Sequence, residues 1–374
     1  MMAWKVGGAL ASLLVLIWVS NSAAVAPASE TAPARSAAAK RETWRRDYRA
    51  PTAIPFPDAN PYSEAKAELG RRLFFDPILS GDRNRSCASC HVPALGWGDG
   101  RGRALDLSGG DMELRTPSIL NLAWQERLGW DGKFRTLESV SFFPITGAGN
   151  MNLPVAEALR RLSEDADYAR AFAEAFETSS EGLPQAQTRI PSRATPVVTQ
   201  ERVEAALATF ERLIVSRPAP FDRWIEGDEG AITEAAKRGF DLFNGKANCA
   251  ACHSGWSFTD GSYHDIGTAT GSDIGRGRYF PNAPALRYAF KTPGLREVSR
   301  RAPYMHNGSV PALAAVIDLY DRGGIDRPSR SADIRPLGLS LSEKADLAAF
   351  LETLSSEPGR VPALADLTAD TPRP

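Results

Sequence analysis

The sequence predicts a mostly α-helical chain built as two tandem modules. Three observations carry that expectation. The pentapeptide Cys87-Ala88-Ser89-Cys90-His91 recurs as Cys249-Ala250-Ala251-Cys252-His253. Each copy follows a Gly-x-x-Leu-Phe segment, Gly70-Arg71-Arg72-Leu73-Phe74 and Gly239-Phe240-Asp241-Leu242-Phe243, which makes an internal repeat. Elsewhere apolar residues recur at the 3.6-residue period of a half-buried helix. A chain of 374 residues has room for two cores. Its 43% hydrophobic and 24% charged residues are ordinary for a globular protein. The formal net charge of −1 excludes a general electrostatic attraction to nucleic acid.

The elements follow in chain order. Lys5 precedes a nearly apolar run from Val6 to Val19, and Ser22-Ala23-Ala24 supplies small residues for cleavage. Residues 1–24 therefore read as a secretory signal peptide, with an uncleaved anchor as the other reading. Residues 25–52, rich in Ala, Pro, Ser, Arg and Glu, read as a flexible linker. Ser63 is an N-cap candidate for a helix beginning at Glu64. Thr116-Pro117 is expected to open a short helix through Leu122. The spacing of Leu159, Leu162, Tyr168, Phe172 and Phe176 predicts one helix over 155–177. A polar, proline-containing loop is expected at 178–196. Val203, Leu207, Phe210, Leu213 and Ile214 mark another amphipathic helix, and residues 232–243 lead into the second pentapeptide. Residues 261–284 read as a long loop, and Ser342 as the cap of a last helix ending at Leu354. The expected division is an N-terminal domain at 53–228, a C-terminal domain at 229–357 and a loose tail at 358–374.

Cys-x-x-Cys-His is the attachment signature of a c-type haem. Each thiol adds to a vinyl group, and the adjacent histidine reaches the iron from one side. The ligand on the other side then decides what the iron does. Zinc ribbons keep their cysteine pairs within about 15–20 residues of each other, whereas these pairs lie in different halves of the chain. Disulfide or redox use of the thiols is the competing reading. Covalent haem attachment and an exported chain agree with each other.

Further motifs extend the pattern: Leu69-Gly70-Arg71-Arg72-Leu73-Phe74-Phe75-Asp76, Ala94-Leu95-Gly96-Trp97-Gly98-Asp99-Gly100, Arg115-Thr116-Pro117-Ser118, Trp130-Asp131-Gly132-Lys133, Thr292-Pro293-Gly294-Leu295-Arg296 and Ala302-Pro303-Tyr304-Met305-His306. With these, the chain resembles the bacterial di-haem cytochrome c peroxidase family, and within it the MauG-like branch, from about Pro55 to Leu354. The resemblance implies two cytochrome c-like domains facing each other and two covalently bound haem c groups. Cys87, Cys90, Cys249 and Cys252 would attach them, with His91 and His253 on the irons. The N-terminal haem would react with hydrogen peroxide, and Trp130 would lie between the haems as an electron relay. Trp97 and Trp124 have no such support and are expected to be packing residues.

Three departures from the family stand out. Asn150 occupies the place of an acid–base glutamate, and an amide cannot shuttle a proton. Val140 stands near the place of a glutamine. Between His91 and His253 there is no histidine, so none from this region can close the N-terminal haem, which is expected to be open or water-bound. Arg115 occupies the position where relatives offer an asparagine to calcium, with carbonyls from Arg301 and Pro303. A cationic side chain is wrong for Ca²⁺, and calcium is doubtful here.

On the second haem the resemblance implies Tyr320 as the distal ligand, with Met305 as the rival. A phenolate favours the higher iron oxidation states. The expected function is a periplasmic oxidoreductase that uses peroxide to oxidise aromatic residues of a partner protein. One alternative is a conventional cytochrome c peroxidase fed by a small cytochrome or cupredoxin. Another is a non-catalytic di-haem electron carrier or redox sensor. No stable membrane insertion is expected.

Overall fold

The computed structural model describes Met1, residues 32–176 and residues 197–356. The signal peptide beyond Met1, the loop at 178–196 and the loose tail at 358–374 lie outside the described residues. By backbone contacts the chain divides into Met1–Glu42 and Thr43–Pro374; the packing and the site below belong to the second unit.

Residues 25–52, expected as a flexible linker, contain a helix, α1 (Ala32–Tyr48). Trp44 and Tyr48, one turn apart on one helix face, give its end a place to pack. The Trp44 ring meets Phe240 edge-on at 4.7 Å. Tyr48 is buried against Phe221 and Phe240, and its hydroxyl donates to Asn244 Oδ1 at 2.9 Å.

Helix α2 (Glu64–Phe75) begins where Ser63 Oγ accepts from the Lys66 amide at 3.2 Å. The helix expected from Thr116 to Leu122 does not form. Ser118 Oγ donates instead to Gly96 O at 2.6 Å, and Asn121 sits at φ 59°, outside the helical region. Only a 3₁₀ turn, Leu122–Trp124, follows. After α3 (Leu137–Thr146), the single helix expected at 155–177 is two: α4 (Val155–Glu164) and α5 (Ala166–Phe176). Asp165 breaks it, because its carboxylate accepts from the amides of Asp167 and Tyr168, both at 3.0 Å, and so starts a new helix.

Helix α6 (Gln200–Arg212) is capped by Thr199, α7 spans Pro220–Ile225, and α8 (Glu234–Asn244) is capped by Thr233. Helix α9 (Leu313–Arg322) ends at Gly323 with φ 82°, the left-handed stop that glycine takes without strain. The final helix, α10 (Leu341–Glu352), is capped by Ser340 rather than Ser342. Ser340 stands three residues before Glu343 and completes a reciprocal capping box with it. The stretch at 261–284 is mostly loop but includes strand β1 (Tyr263–His264), antiparallel to β2 (Phe290–Lys291).

Two hydrophobic cores result. The first gathers α2, α4, α5 and α6 around Phe74, Phe172 and Phe210. The second gathers Tyr48, α7, α8 and α10 around Phe221, Phe240 and Phe350. Each is built on the same crossing of two helices. A Cβ on Gly70 would lie 1.9 Å from Ala206 O, and one on Gly239 would lie 2.0 Å from Asp346 O. The repeated glycines are therefore required by backbone contact between α2 and α6, and between α8 and α10. The phenylalanine four residues on closes each crossing, with Phe74 5.2 Å from Phe210 and Phe243 5.0 Å from Phe350.

Candidate functional site

Each pentapeptide forms a 3₁₀ turn, Cys87–Ser89 and Cys249–Ala251, shortly after its glycine helix. The amides of His91 and His253 donate to Cys87 O and Cys249 O at 2.9 and 2.8 Å. This folding places both thiols and the imidazole of each copy on one surface. All four cysteines are free and half-buried, which removes the disulfide reading. Burial pushes the Cys87 and Cys249 thiols up to about 12 and Cys252 up to about 11. These are not the low-pKa thiolates that bind metals or exchange disulfides.

The two histidines are set in the same way. His91 Nδ1–H donates to Trp97 O at 3.1 Å, and His253 Nδ1–H donates to Phe258 O at 2.9 Å. Both carbonyls belong to non-glycine residues in the left-handed region, with φ 61° and 56°. That backbone turn aims the carbonyl back at the ring. Burial pushes both imidazoles below their ordinary pKa. The result is a neutral ring with Nδ1 occupied and Nε2 free, the tautomer a metal needs. Trp97 was expected only to pack. Its ring does, at 6.0 Å from Phe74, but its carbonyl orients His91.

Between the two copies lies one continuous cavity of about 700 Å³. It is lined by Cys87, Cys90, His91, Cys249, Cys252 and His253, and also by Trp130, Asn150, Tyr320 and Met305. The cavity wall thus takes in the candidate attachment, iron-ligand, relay and distal residues, while Trp97, Trp124 and Pro303 are not on it. Trp130 is held by groups from both halves. Its Nε1–H donates to Arg115 O at 3.0 Å, and its own carbonyl accepts from the Lys291 amide at 2.8 Å. Trp124, expected to pack, meets Trp256 edge-on at 4.9 Å.

Tyr320 stands on the last turn of α9, and its hydroxyl has no hydrogen-bond partner among the described residues. Burial, with Cys249 and Cys252 close by, raises its pKa strongly. An added cation is what would draw that proton off. The histidines outside the motifs are both engaged by carboxylates: His264 Nε2 lies 2.7 Å from Asp260 Oδ2, and His306 Nε2 lies 2.7 Å from Asp273 Oδ2.

Two cavity residues, Glu211 and Lys291, had no sequence signal of their own, and a third, Arg301, was named only for its carbonyl. Glu211, on α6, lines the cavity near Cys87, and burial pushes its carboxyl up to about 8. The coincident helix crossings pair Ala206 with Asp346 and Phe210 with Phe350, so Glu211 corresponds to Leu351, which also lines the cavity. Lys291 is pushed down to about 8 by burial alone. Arg301 is pushed down to about 10 by burial and by Arg115. In the sequence each reads as one more charged residue on a polar surface; only burial distinguishes it.

The fit of haem to this cavity can be tested on the orphaned atoms. Arg115 Nε and Arg301 Nε are buried without a hydrogen-bond partner, and both side chains line the cavity. Unpaired buried guanidinium groups are costly. A group with an apolar ring and anionic edges answers both that charge and the largely hydrophobic lining. The donor set, two thiols and one free imidazole nitrogen at each end, fits haem c.

Comparisons with known proteins agree with this chemistry. Residues 64–230 match the family model described as di-haem cytochrome c peroxidase, and residues 289–325 match one described as RoxA-like, cytochrome c-like. The chain is 44% identical over 365 residues to the methylamine utilization protein MauG of Methylorubrum extorquens, covering 96% of each chain. It is 36% identical to the cytochrome-c peroxidase IdrP1 of a Pseudomonas species, covering 82% of this chain and 85% of that one. Among solved structures, a MauG-like protein associated with microbial copper homeostasis superposes with a TM-score of 0.72 at 32% identity, over 82% of this chain and 95% of the other.

Proposed function

The chain belongs to the di-haem cytochrome c peroxidase family, so it is a mostly α oxidoreductase with two cytochrome c-like domains and two covalently bound haem c groups; from that premise we propose that it reacts with hydrogen peroxide at the N-terminal haem and oxidises aromatic residues of a partner protein. In this reading Cys87 and Cys90 attach the N-terminal haem, and His91 binds its iron. Cys249 and Cys252 would attach the other, with His253 and Tyr320 as the residues that would hold its iron. When bound, the haem irons would supply the redox chemistry for a reaction with peroxide.

The chain's own residues do the rest. The carbonyls of Trp97 and Phe258 hold each proximal imidazole by its Nδ1 proton. Asn150, at the cavity wall, hydrogen-bonds the peroxide but cannot take its proton. That task falls to Glu211, a carboxyl with no partner among the described residues. Its pKa of about 8 suits a group that takes a proton from peroxide and returns it to the departing oxygen. Trp130, gripped from both sides, couples the two halves. Tyr320, as phenolate, favours the oxidised iron and makes the second haem a poor acceptor for a mild electron donor. The apolar leader at residues 1–24 assigns this chemistry to the periplasm. Among the described residues no helix is long and apolar enough to cross a membrane.

Tyr320 carries the reading, because a phenol rather than a thioether stands beside the second pair of thiols. Met305, the rival ligand, also lines the cavity. It sits at φ 72°, next to His306, whose carbonyl accepts from the Arg115 amide at 3.0 Å. The test is peroxide added to the purified di-haem protein. A near-infrared charge-resonance band is expected in wild type and lost in Tyr320→Met, with reduced small cytochrome left unconsumed. Rapid peroxide-dependent consumption of reduced cytochrome or cupredoxin would establish the conventional peroxidase instead, a reading supported by the name of the IdrP1 relative. Indifference to peroxide would leave an electron carrier or sensor.

A further inference from the structure

The middle of the cavity holds more positive charge than the protein neutralises. Arg115 is 7% exposed. Its Nη2 donates to Arg301 O at 3.1 Å, while its Nε has no partner. Arg301 donates from Nη2 to Gly294 O, and its Nε is likewise buried and unpartnered. Burial and the Arg115 charge together push Arg301 down to about 10. The acids that face these groups are engaged elsewhere. Asp99 accepts from Thr116 Oγ1 at 2.7 Å and from the Arg101 amide at 3.0 Å. Glu297 accepts from the Ser356 amide and hydroxyl at 3.1 and 2.6 Å and pairs with Arg300 at 3.2 Å. Tyr304 donates its hydroxyl proton to Val298 O at 3.0 Å. Two neighbouring guanidinium groups that hydrogen-bond only to backbone carbonyls describe a site for external carboxylates.

We propose that Arg115 and Arg301 form a cradle for the carboxylate side chains of both haems, fixing the two groups to one another across the boundary between the modules. The cradle rests on the reading of both pentapeptides as haem attachment sites, but not on the peroxide reaction. Arg115 is its keystone. Its amide donates to His306 O at 3.0 Å, its carbonyl accepts from the Trp130 indole, and its guanidinium reaches Arg301 O. One residue thereby sets the position of Trp130 and of the haem carboxylates together. The same contact puts a fixed guanidinium on a carbonyl that a divalent cation would otherwise use, so the cradle needs no calcium.

The test uses the holoprotein and two readouts that are independent of turnover: the midpoint potential of each haem in a spectroelectrochemical titration as a function of pH, and the haem-carboxylate bending bands in the resonance Raman spectrum. In Arg115→Gln and Arg301→Gln, both haems stay attached through their thioether bonds. The midpoint potentials fall, because a positive charge that disfavours the ferric state is gone, and they become pH-dependent near neutrality as the haem carboxylates titrate. Arg115→Lys keeps the charge and retains most of the wild-type potential, while its carboxylate bands shift because the guanidinium fork is lost. Should a glutamine variant fail to fold, the lysine variant and the wild-type spectra still decide. Potentials and bands unchanged in all variants would overturn the cradle. So would a calcium-dependent shift of the potentials in chelator-treated wild-type protein, because a dication would then occupy the site. Shifted potentials in a protein that ignores peroxide would keep the cradle and remove the peroxide reading.

Discussion

The two modules are the same scaffold around different chemistry. Gly70 and Gly239 let the helices cross at backbone contact, and Phe74 and Phe243 close the crossings at nearly equal ring distances. His91 and His253 each give Nδ1–H to a carbonyl held at positive φ. The difference lies in what each module turns toward the cavity. The first presents Glu211 and Asn150; the second presents Leu351 and Tyr320. A carboxyl with a raised pKa faces one end, and an apolar wall with a phenol faces the other. The lesson is that a repeat secures cofactor attachment, while a few side chains around it divide the labour.

The largest way to break this comparison is steric. Gly239→Val drives Cβ and its methyls into the Asp346 carbonyl, where neither helix can yield without losing the second core. Haem content is expected to fall from two per chain toward one, measured by the pyridine haemochrome, with the first module's spectrum retained. Gly70→Val should do the reverse.

The next effect exchanges the chemistry. Glu211→Leu makes the first module resemble the second, and its rate with peroxide should drop by about 10²–10⁴-fold, the usual share of a positioned acid–base group. Glu211→Gln sharpens the point through pH. The wild-type rate should rise with pH through about 8 as the carboxylate forms, because the ionised form accepts the peroxide proton. The glutamine variant should show no such rise. A wild-type profile flat across that range would remove Glu211 from the reaction.

Tyr320→Phe tests the other end. The second haem should lose its anionic ligand, its potential should rise, and its oxidised absorption spectrum should change while that of the first haem does not. Unaltered spectra in the ferric state would place the ligand elsewhere. The smallest effect concerns scaffold alone. Thr199→Ala and Thr233→Ala remove equivalent N-caps from α6 and α8. Each should cost about 1 kcal/mol, read as a lower denaturation midpoint with both haem spectra unchanged.

Much of the molecule was legible because the relevant signals are local. The pentapeptides, the glycine helices and the cap at Ser63 depend on neighbours within a few residues. The misreadings mark where local signals compete. Asp165 divided a periodic apolar stripe because its carboxylate could cap a new helix, and Ser340 displaced Ser342 because only Ser340 has Glu343 three residues on. Trp44 and Tyr48 ordered a segment whose composition reads as linker, through contacts with rings nearly two hundred residues away.

The sequence by itself marked Cys87/Cys90 and Cys249/Cys252 as the attachment positions for two haems, since attachment needs only thiols and an imidazole at fixed spacing along one chain. Tertiary structure alone decided that these ends share one cavity, that Glu211 lines it with a desolvated carboxyl, and that Arg115 and Arg301 meet with no carboxylate hydrogen-bonded to either. Those properties depend on desolvation and on charges brought close from distant positions, and neither is encoded in any single stretch of residues.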